Sequence, residues 1–76
     1  MNISGVIVKA YPEKLFSIER MLTTMEGVEV HGNDEEGRML LTVSQKTANS
    51  LVNTLDEIQH VPGVLAAAMI YNEFEG

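Results

Sequence analysis

The 76-residue chain has a formal net charge of −6, and 45% of its residues are hydrophobic. This length predicts a single domain over residues 1–76 with one small core, and the apolar content is too high for a disordered chain. The acidic balance argues against nucleic acid as a partner, because phosphates require a basic footprint. The absence of cysteine excludes a disulfide, a thiolate metal site and a thiol nucleophile.

The sequence also bears on the compartment. No apolar run approaches the roughly 18 residues that a membrane-spanning helix needs. The first residues lack the basic and then apolar pattern of an export signal. These features predict a cytoplasmic protein with no membrane span.

The first predicted element is a strand over residues 3–10, which contains three consecutive β-formers. Successive side chains of a strand point to opposite faces. The alternation therefore assigns one set to the core and the other to the opposite face: Val6, Val8 and Ala10 inward, and Gly5, Ile7 and Lys9 outward.

A helix is predicted to open at Pro12 and Glu13 and to stop near Gly27. Its apolar residues recur at helical spacing on one face: Leu15, Ile18, Met21, Leu22 and Met25. Phe16 lies off this stripe, so we expect it to be at least partly exposed.

A hairpin follows the first helix. Residues 28–33 alternate between apolar and polar, which predicts a half-buried strand, and the acidic turn after it ends at Gly37. The partner strand is predicted over residues 38–43. Its side chains divide between the two faces: Met39, Leu41 and Val43 on one, and Arg38, Leu40 and Thr42 on the other.

The hydroxyl groups of residues 44–47 can cap a second helix. Its apolar stripe consists of Ala48, Leu51, Val52, Leu55 and Ile58. His60 is expected to complement the negative end of this helix. A Val-Pro-Gly turn precedes the last predicted strand, residues 64–71, and residues 72–76 are expected to form a frayed acidic tail.

The order β-α-β-β-α-β predicts an α+β, ferredoxin-like sandwich: a four-stranded antiparallel sheet with two helices on one face. Right-handed crossovers place the first and third strands at the centre. The residues expected to be buried between helices and sheet are Val6, Val8, Leu22, Val30, Leu41, Val43, Leu51, Leu55 and Ile58.

The second face of this sheet has no element left to cover it. The last strand is predicted to point Leu65, Ala67 and Met69 inward and Ala66, Ala68 and Ile70 outward, and the second strand adds Glu29, His31 and Asn33 to the outer face. An exposed apolar surface typically marks an interaction site. The candidate binding residues on this face are Ile7, Lys9, Glu29, His31, Leu40, Thr42, Ala66 and Ala68. A homodimer across the face, or a peptide paired with an edge strand, is the alternative.

The residues that catalysis would require are missing. An acylphosphatase-like site needs an arginine in a glycine-rich first loop, and an RNA-binding sheet needs aromatic residues on its central strands. Neither is present, and neither is a phosphate-binding or dinucleotide fingerprint. His31 and His60 are too isolated for a metal site. The sequence therefore predicts a binding protein rather than an enzyme, with no cofactor or metal.

Several segments, which together cover nearly the whole chain, resemble the NapD family. They are Ser4–Ala10, Met25–Val30, Gly37–Leu41, His60–Ala66 and Ile70-Tyr71. The resemblance implies a small cytoplasmic chaperone that binds the twin-arginine signal peptide of the precursor of the periplasmic nitrate reductase catalytic subunit. It also implies that such binding holds back export until the molybdenum cofactor is inserted. The alternative is a regulatory ligand-binding domain of the amino-acid-sensing type that dimerises through its sheet.

Overall fold

The computed structural model describes residues 2–74. In chain order its elements are β1 (Asn2–Ala10), a 3-10 turn (Pro12–Lys14), α1 (Leu15–Leu22), β2 (Val28–Asn33), β3 (Arg38–Gln45), α2 (Ala48–Gln59) and β4 (Val64–Phe74). The strands form one antiparallel sheet in the order β2-β3-β1-β4. The predicted ferredoxin-like fold with β1 and β3 at the centre is confirmed. Within residues 2–74, neither helix is long and apolar enough to cross a membrane.

The core lies between the two helices and one face of the sheet. Most of the predicted core is confirmed, because seven of the nine residues are buried: Val6, Val8, Leu22, Leu41, Val43, Leu51 and Ile58. Val30 and Leu55 are only partly buried and pack at the margin of this cluster. For Val30 the reason is its place on β2, an edge strand of the sheet.

Helix α1 is shorter than predicted, since it ends at Leu22 and not near Gly27. Two threonines follow its last turn, and the Thr24 hydroxyl donates to the Met21 carbonyl oxygen at 2.7 Å. Such side-chain bonds compete with continuation of the helix. Met21 is 45% exposed, so its assignment to the buried stripe was wrong, whereas the predicted exposure of Phe16 is confirmed.

The start of α2 is confirmed only in part. Thr47 is the N-cap, and its hydroxyl oxygen accepts a hydrogen bond from the Ser50 backbone N–H at 3.0 Å. Ser44 and Gln45, by contrast, belong to β3. At the other end, His60 Nδ1 donates to the Asp56 carbonyl oxygen at 2.7 Å, as expected for a group that complements the helix terminus.

Strand β4 is longer than predicted. It continues to Phe74 because β1 begins at Asn2 and offers pairing partners along its whole length. The expectation of a frayed tail is therefore wrong for residues 72–74. The other two residues of that expectation, Glu75 and Gly76, lie outside the described residues.

Candidate functional site

The candidate site is the sheet face opposite the helices, which we call the open face. Partners directly across an antiparallel pair share a face. Ile7 lies opposite Leu40 on β3 and Ala68 on β4, and the next outward residue, Lys9, lies opposite Arg38 and Ala66. Within residues 2–74, no helix or strand packs on this face.

The structure brings all eight predicted site residues to the open face. Besides the two rows just described, Thr42 lies opposite Gly5 on β1 and Glu29 on β2. His31 joins them, because its Nε2 lies 2.6 Å from the Thr42 hydroxyl oxygen. The face is therefore apolar around Ile7, Leu40 and the alanines of β4, and polar along β2 and at Lys9 and Arg38.

The apolar part of the open face, which we call the apolar floor, consists of Ile7, Leu40, Ala66 and Ala68, with Ile7 at its centre. This side chain is half-buried between its neighbours, and Leu40 beside it is 41% exposed. With neighbouring strands about 4.8 Å apart, the row from Leu40 through Ile7 to Ala68 spans roughly 10 Å. Because the alanine side chains of β4 are small, this side of the floor is nearly flat.

A bulge in β4 adds two residues to the floor. The register shifts between Gly5 and Val6, so that Ile70 is the extra residue before Tyr71 pairs with Gly5. A β-carbon placed at Gly5 would lie 3.3 Å from the Tyr71 β-carbon and 3.5 Å from Ile70 Cγ1. Both side chains therefore lie across Gly5 on the open face, and both are more than half exposed.

Tyr71 is the site residue that the sequence analysis missed. A strict alternation from Ala68 and Ile70 puts Tyr71 on the helix side, whereas the bulge returns it to the open face. A signal was present in the sequence, because a glycine inside a strand often marks a bulge or a close approach. Gly5 marks both here.

Ala67 and Met69 of β4 have the predicted inward phase, whereas Leu65 has no partner on β1, because the register shifts between Lys9 and Ala10. Ala67 lies opposite Val8 and packs against the core. Leu65 and Met69, the bulkier pair, remain 54% and 49% exposed. Because β4 is an edge strand, these side chains have neighbours on one side only.

Asn33 was predicted on the open face, and this is wrong. A bulge in β2 between Val30 and Gly32 reverses the alternation, so Asn33 pairs with the buried Met39. Its side-chain amide donates to Glu19 Oε1 of α1 at 3.3 Å, which places the side chain on the helix side.

The same bulge forms one wall of a shallow groove on the open face. The groove has a volume of about 470 Å³ and is lined by Ile7, His31, Gly32, Asn33, Asp34, Arg38, Met39 and Leu40. A β-carbon placed at Gly32 would meet nothing within 4 Å. The groove thus widens the apolar floor toward β2.

Two acids of the β2–β3 turn, Asp34 and Glu36, are already bonded within the protein. Asp34 Oδ1 accepts from the backbone N–H groups of Arg38 and Glu36, and its Oδ2 lies 2.7 Å from Arg38 Nε. These bonds, that of the Arg38 backbone first, hold the pKa of Asp34 below its usual value. Glu36 Oε2 lies 3.1 Å from Arg38 Nη2, so Arg38 is neutralised from two sides.

The far end of β4 carries a second polar pair. The Tyr71 hydroxyl donates to Glu73 Oε2 at 2.6 Å, and this bond raises the pKa of Tyr71. Within residues 2–74, no group of three or more histidine, aspartate or glutamate side chains is placed to hold a metal ion. The open face presents an apolar surface with charged margins, and an exposed apolar surface typically marks an interaction site.

Comparison with known proteins gives a consistent result. The NapD family, described as NapD protein, matches residues 1–76. Chaperone NapD of Escherichia coli K12 is 27% identical over 75 residues, which cover 97% of this chain and 86% of the relative. Chaperone NapD of Haemophilus influenzae is 25% identical over 73 residues, which cover 95% and 78%.

A solved structure agrees with these relatives. The solution structure of the E. coli Tat proofreading chaperone protein NapD is similar to this chain with a TM-score of 0.87 and 27% identity. The match covers 96% of this chain and 78% of that one. The likeness therefore extends over the sheet, both helices and the open face.

Proposed function

This chain belongs to the NapD family, and from that premise we propose that it is a cytoplasmic chaperone for the precursor of a periplasmic nitrate reductase catalytic subunit. It binds the twin-arginine signal peptide of that precursor and holds back export until the cofactor is inserted. Two likenesses support the proposal: the relatives are named chaperones, and the similar solved structure is that of a Tat proofreading chaperone.

The observation that carries the proposal is the uncovered apolar floor of the open face. A twin-arginine signal peptide has a basic portion followed by an apolar one. Its apolar portion gains roughly 25 cal/mol for each Å² that it removes from water on Ile7, Leu40 and Ala68. Its arginines meet exposed acids, where ion pairs contribute only about 0–1 kcal/mol each.

We therefore propose that contact with the apolar floor supplies most of the affinity for the peptide, and that the charged residues orient the peptide on the face. The proposed contact residues are Ile7, Lys9, Glu29, His31, Leu40, Thr42, Ala66 and Ala68, joined by Ile70 and Tyr71 from the β4 bulge. Glu29 lies opposite Thr42 on β2 and faces the basic portion of the peptide.

The test is calorimetric titration of the protein with the signal peptide of a nitrate reductase precursor. The variants Ile7→Asp and Leu40→Asp each place a charge on the floor without entering the core, so we expect each to weaken binding at least ten-fold. Phe16→Asp is the matched control: Phe16 is an exposed apolar residue of α1, away from the open face, and its variant should bind as the wild type does.

Two results would overturn the proposal. Wild-type affinity in both floor variants would remove the open face as the site and favour an edge strand. Saturable binding of a free amino acid, with no binding of the peptide, would instead support the regulatory ligand-binding domain. Circular dichroism of each variant checks that the fold is intact.

A further inference from the structure

The charges of the open face are sorted by position along β1. Near the start of this strand Ile3 lies opposite Glu73 of β4, and two residues later Gly5 is in the row that ends at Glu29 of β2. Near its end, Lys9 lies directly opposite Arg38. The face therefore has an acidic end and a basic end, with the apolar floor between them.

The acids at the acidic end are the ones available to a ligand. Glu73 accepts a hydrogen bond at one carboxylate oxygen, from the Tyr71 hydroxyl, and its other oxygen has no protein donor among residues 2–74. Glu29 makes no hydrogen bond or ion pair with any side chain in the same described range. Asp34 and Glu36, near the basic end, are occupied by Arg38.

The spacing of the two available acids suits adjacent arginines. Glu29 and Glu73 lie on the two outer strands of the sheet and in adjacent outward rows, so they are roughly 14 Å apart across the sheet and roughly 7 Å apart along it. Neighbouring side chains of an extended segment project to opposite sides. One arginine of a consecutive pair can thus reach Glu29 while the other reaches Glu73, with the segment's backbone lying over β1 and β3.

The aromatic ring at this end favours the same ligand. Tyr71 lies exposed on the open face beside Glu73, and a guanidinium group stacks well on an aromatic ring. At the opposite end, the Lys9 ammonium group repels a basic segment, whereas Arg38 is already neutralised by Asp34 and Glu36. The carboxylates of Asp34 and Glu36 at that end are already bonded to Arg38, so Glu35, an exposed residue of the β2–β3 turn, is the acid left there for a peptide's arginines.

We propose that the bound signal peptide has one fixed direction, parallel to β1. Its arginines lie at Glu29 and Glu73, and its apolar stretch runs from Gly5 over Ile7 and Leu40 toward Ala66. This inference rests on the proposed function and adds to it the polarity of the complex and the two acids that set it.

The direction is measured by paramagnetic broadening in the complex. The full chain, isotopically labelled, is titrated with the signal peptide carrying a nitroxide at its N-terminal end, and then with one labelled at its C-terminal end. We expect the first label to broaden the amides of Ser4 and Asn72 and to spare those of Lys9 and Ala66. The second label should give the reverse pattern.

A double-mutant cycle tests the two acids. Glu29→Gln and Glu73→Gln should each weaken binding of the wild-type peptide about two- to five-fold. Neither should weaken binding further when the peptide's arginines are replaced by glutamine. Glu35→Gln is the matched control, because Glu35 is an exposed acid of the β2–β3 turn near the basic end, and it should leave affinity unchanged.

The outcomes separate this inference from the proposed function. A peptide that binds with the first label near Lys9 and Ala66, or with equal broadening at both ends, overturns the direction alone. Equal losses in the glutamate variants with and without the peptide's arginines overturn the role of the acids. A wild-type protein that binds no signal peptide overturns the proposed function and the direction together.

Discussion

At the scale of single residues, two adjacent leucines of the central strand β3 face opposite sides of the sheet. Leu41 of β3 is fully buried among the core residues, whereas Leu40 points to the open face and is 41% exposed. The alternation of a strand predicted this division from the sequence alone. Leu41 therefore contributes to the stability of the domain, whereas Leu40 belongs to the surface that we propose as the binding site.

Truncating these two leucines should give unequal losses of stability. Leu41→Ala removes a fully buried side chain and leaves a cavity, so we expect the free energy of unfolding to fall by about 2–5 kcal/mol. Leu40→Ala, the matched control on the adjacent position, should cost well under half as much. Urea denaturation measures both values, and equal midpoints for the two variants would remove Leu41 from the core.

A second residue pair contrasts two glycines. Gly27 has a φ of +82°, and a β-carbon there would overlap the carbonyl oxygen of Ser44, whose N–H donates to the Gly27 carbonyl at 2.8 Å. Gly27→Ala should therefore destabilise the domain by about 1–3 kcal/mol. Gly32→Ala is the control, because its β-carbon would enter open space in the groove, and it should change stability by no more than about 0.5 kcal/mol.

Thermal or urea unfolding of the two glycine variants decides the comparison. A Gly27→Ala protein as stable as the wild type would show that the turn between α1 and β2 adapts to a side chain. In that case the close approach of this turn to β3 does not constrain the fold.

At the scale of elements, the sequence predicted each strand and helix but not the irregularities within them. Hydrophobic periodicity located the core face of β1 and β3 because these strands are regular where they pair. The bulges opposite Gly5 and beside Gly32 arise from pairing between strands distant in sequence, so alternation along one strand misplaced Tyr71 and Asn33. The end of α1 depended on local threonine bonds, and the length of β4 on the reach of its partner β1.

The β2–β3 turn carries a pH-dependent contribution to stability. The bonds to Asp34 lower its pKa in the folded protein, so its contribution is fully present above the ordinary value of 3.8 and is lost as pH falls through the native pKa. The difference in unfolding free energy between the wild type and Asp34→Asn should therefore be largest near neutral pH and should vanish at lower pH.

Urea titrations of both proteins across this range measure that difference directly. Other carboxylates titrate in the same range, but they are common to the two proteins and cancel. A difference for Asp34→Asn that stays constant with pH would contradict the assignment.

At the scale of the whole molecule, element order was enough to predict the architecture, because few topologies fit a β-α-β-β-α-β chain with short connections. It also predicted that one sheet face is left uncovered, and all eight candidate residues lie there. What such a face binds depends on a partner outside this chain. No physical feature of the sequence by itself specifies that partner, which is why the proposed function rests on family membership together with the uncovered apolar floor.

The net charge of the chain leads to a prediction about the rates at which the proposed complex with the signal peptide forms and dissociates. The chain carries a formal charge of −6, so it attracts a basic peptide from a distance, and that attraction is screened as salt rises. In the proposed complex, apolar contact with the floor supplies most of the affinity, so we expect salt to have little effect on dissociation. Raising salt from 0.05 M to 0.5 M should slow association about ten-fold while changing dissociation less than two-fold.

Stopped-flow fluorescence with a labelled peptide gives both rates, and a peptide with its arginines replaced by glutamine is the control whose association should hardly respond. A salt effect carried mainly by dissociation would mean that ion pairs, not the apolar floor, hold the peptide.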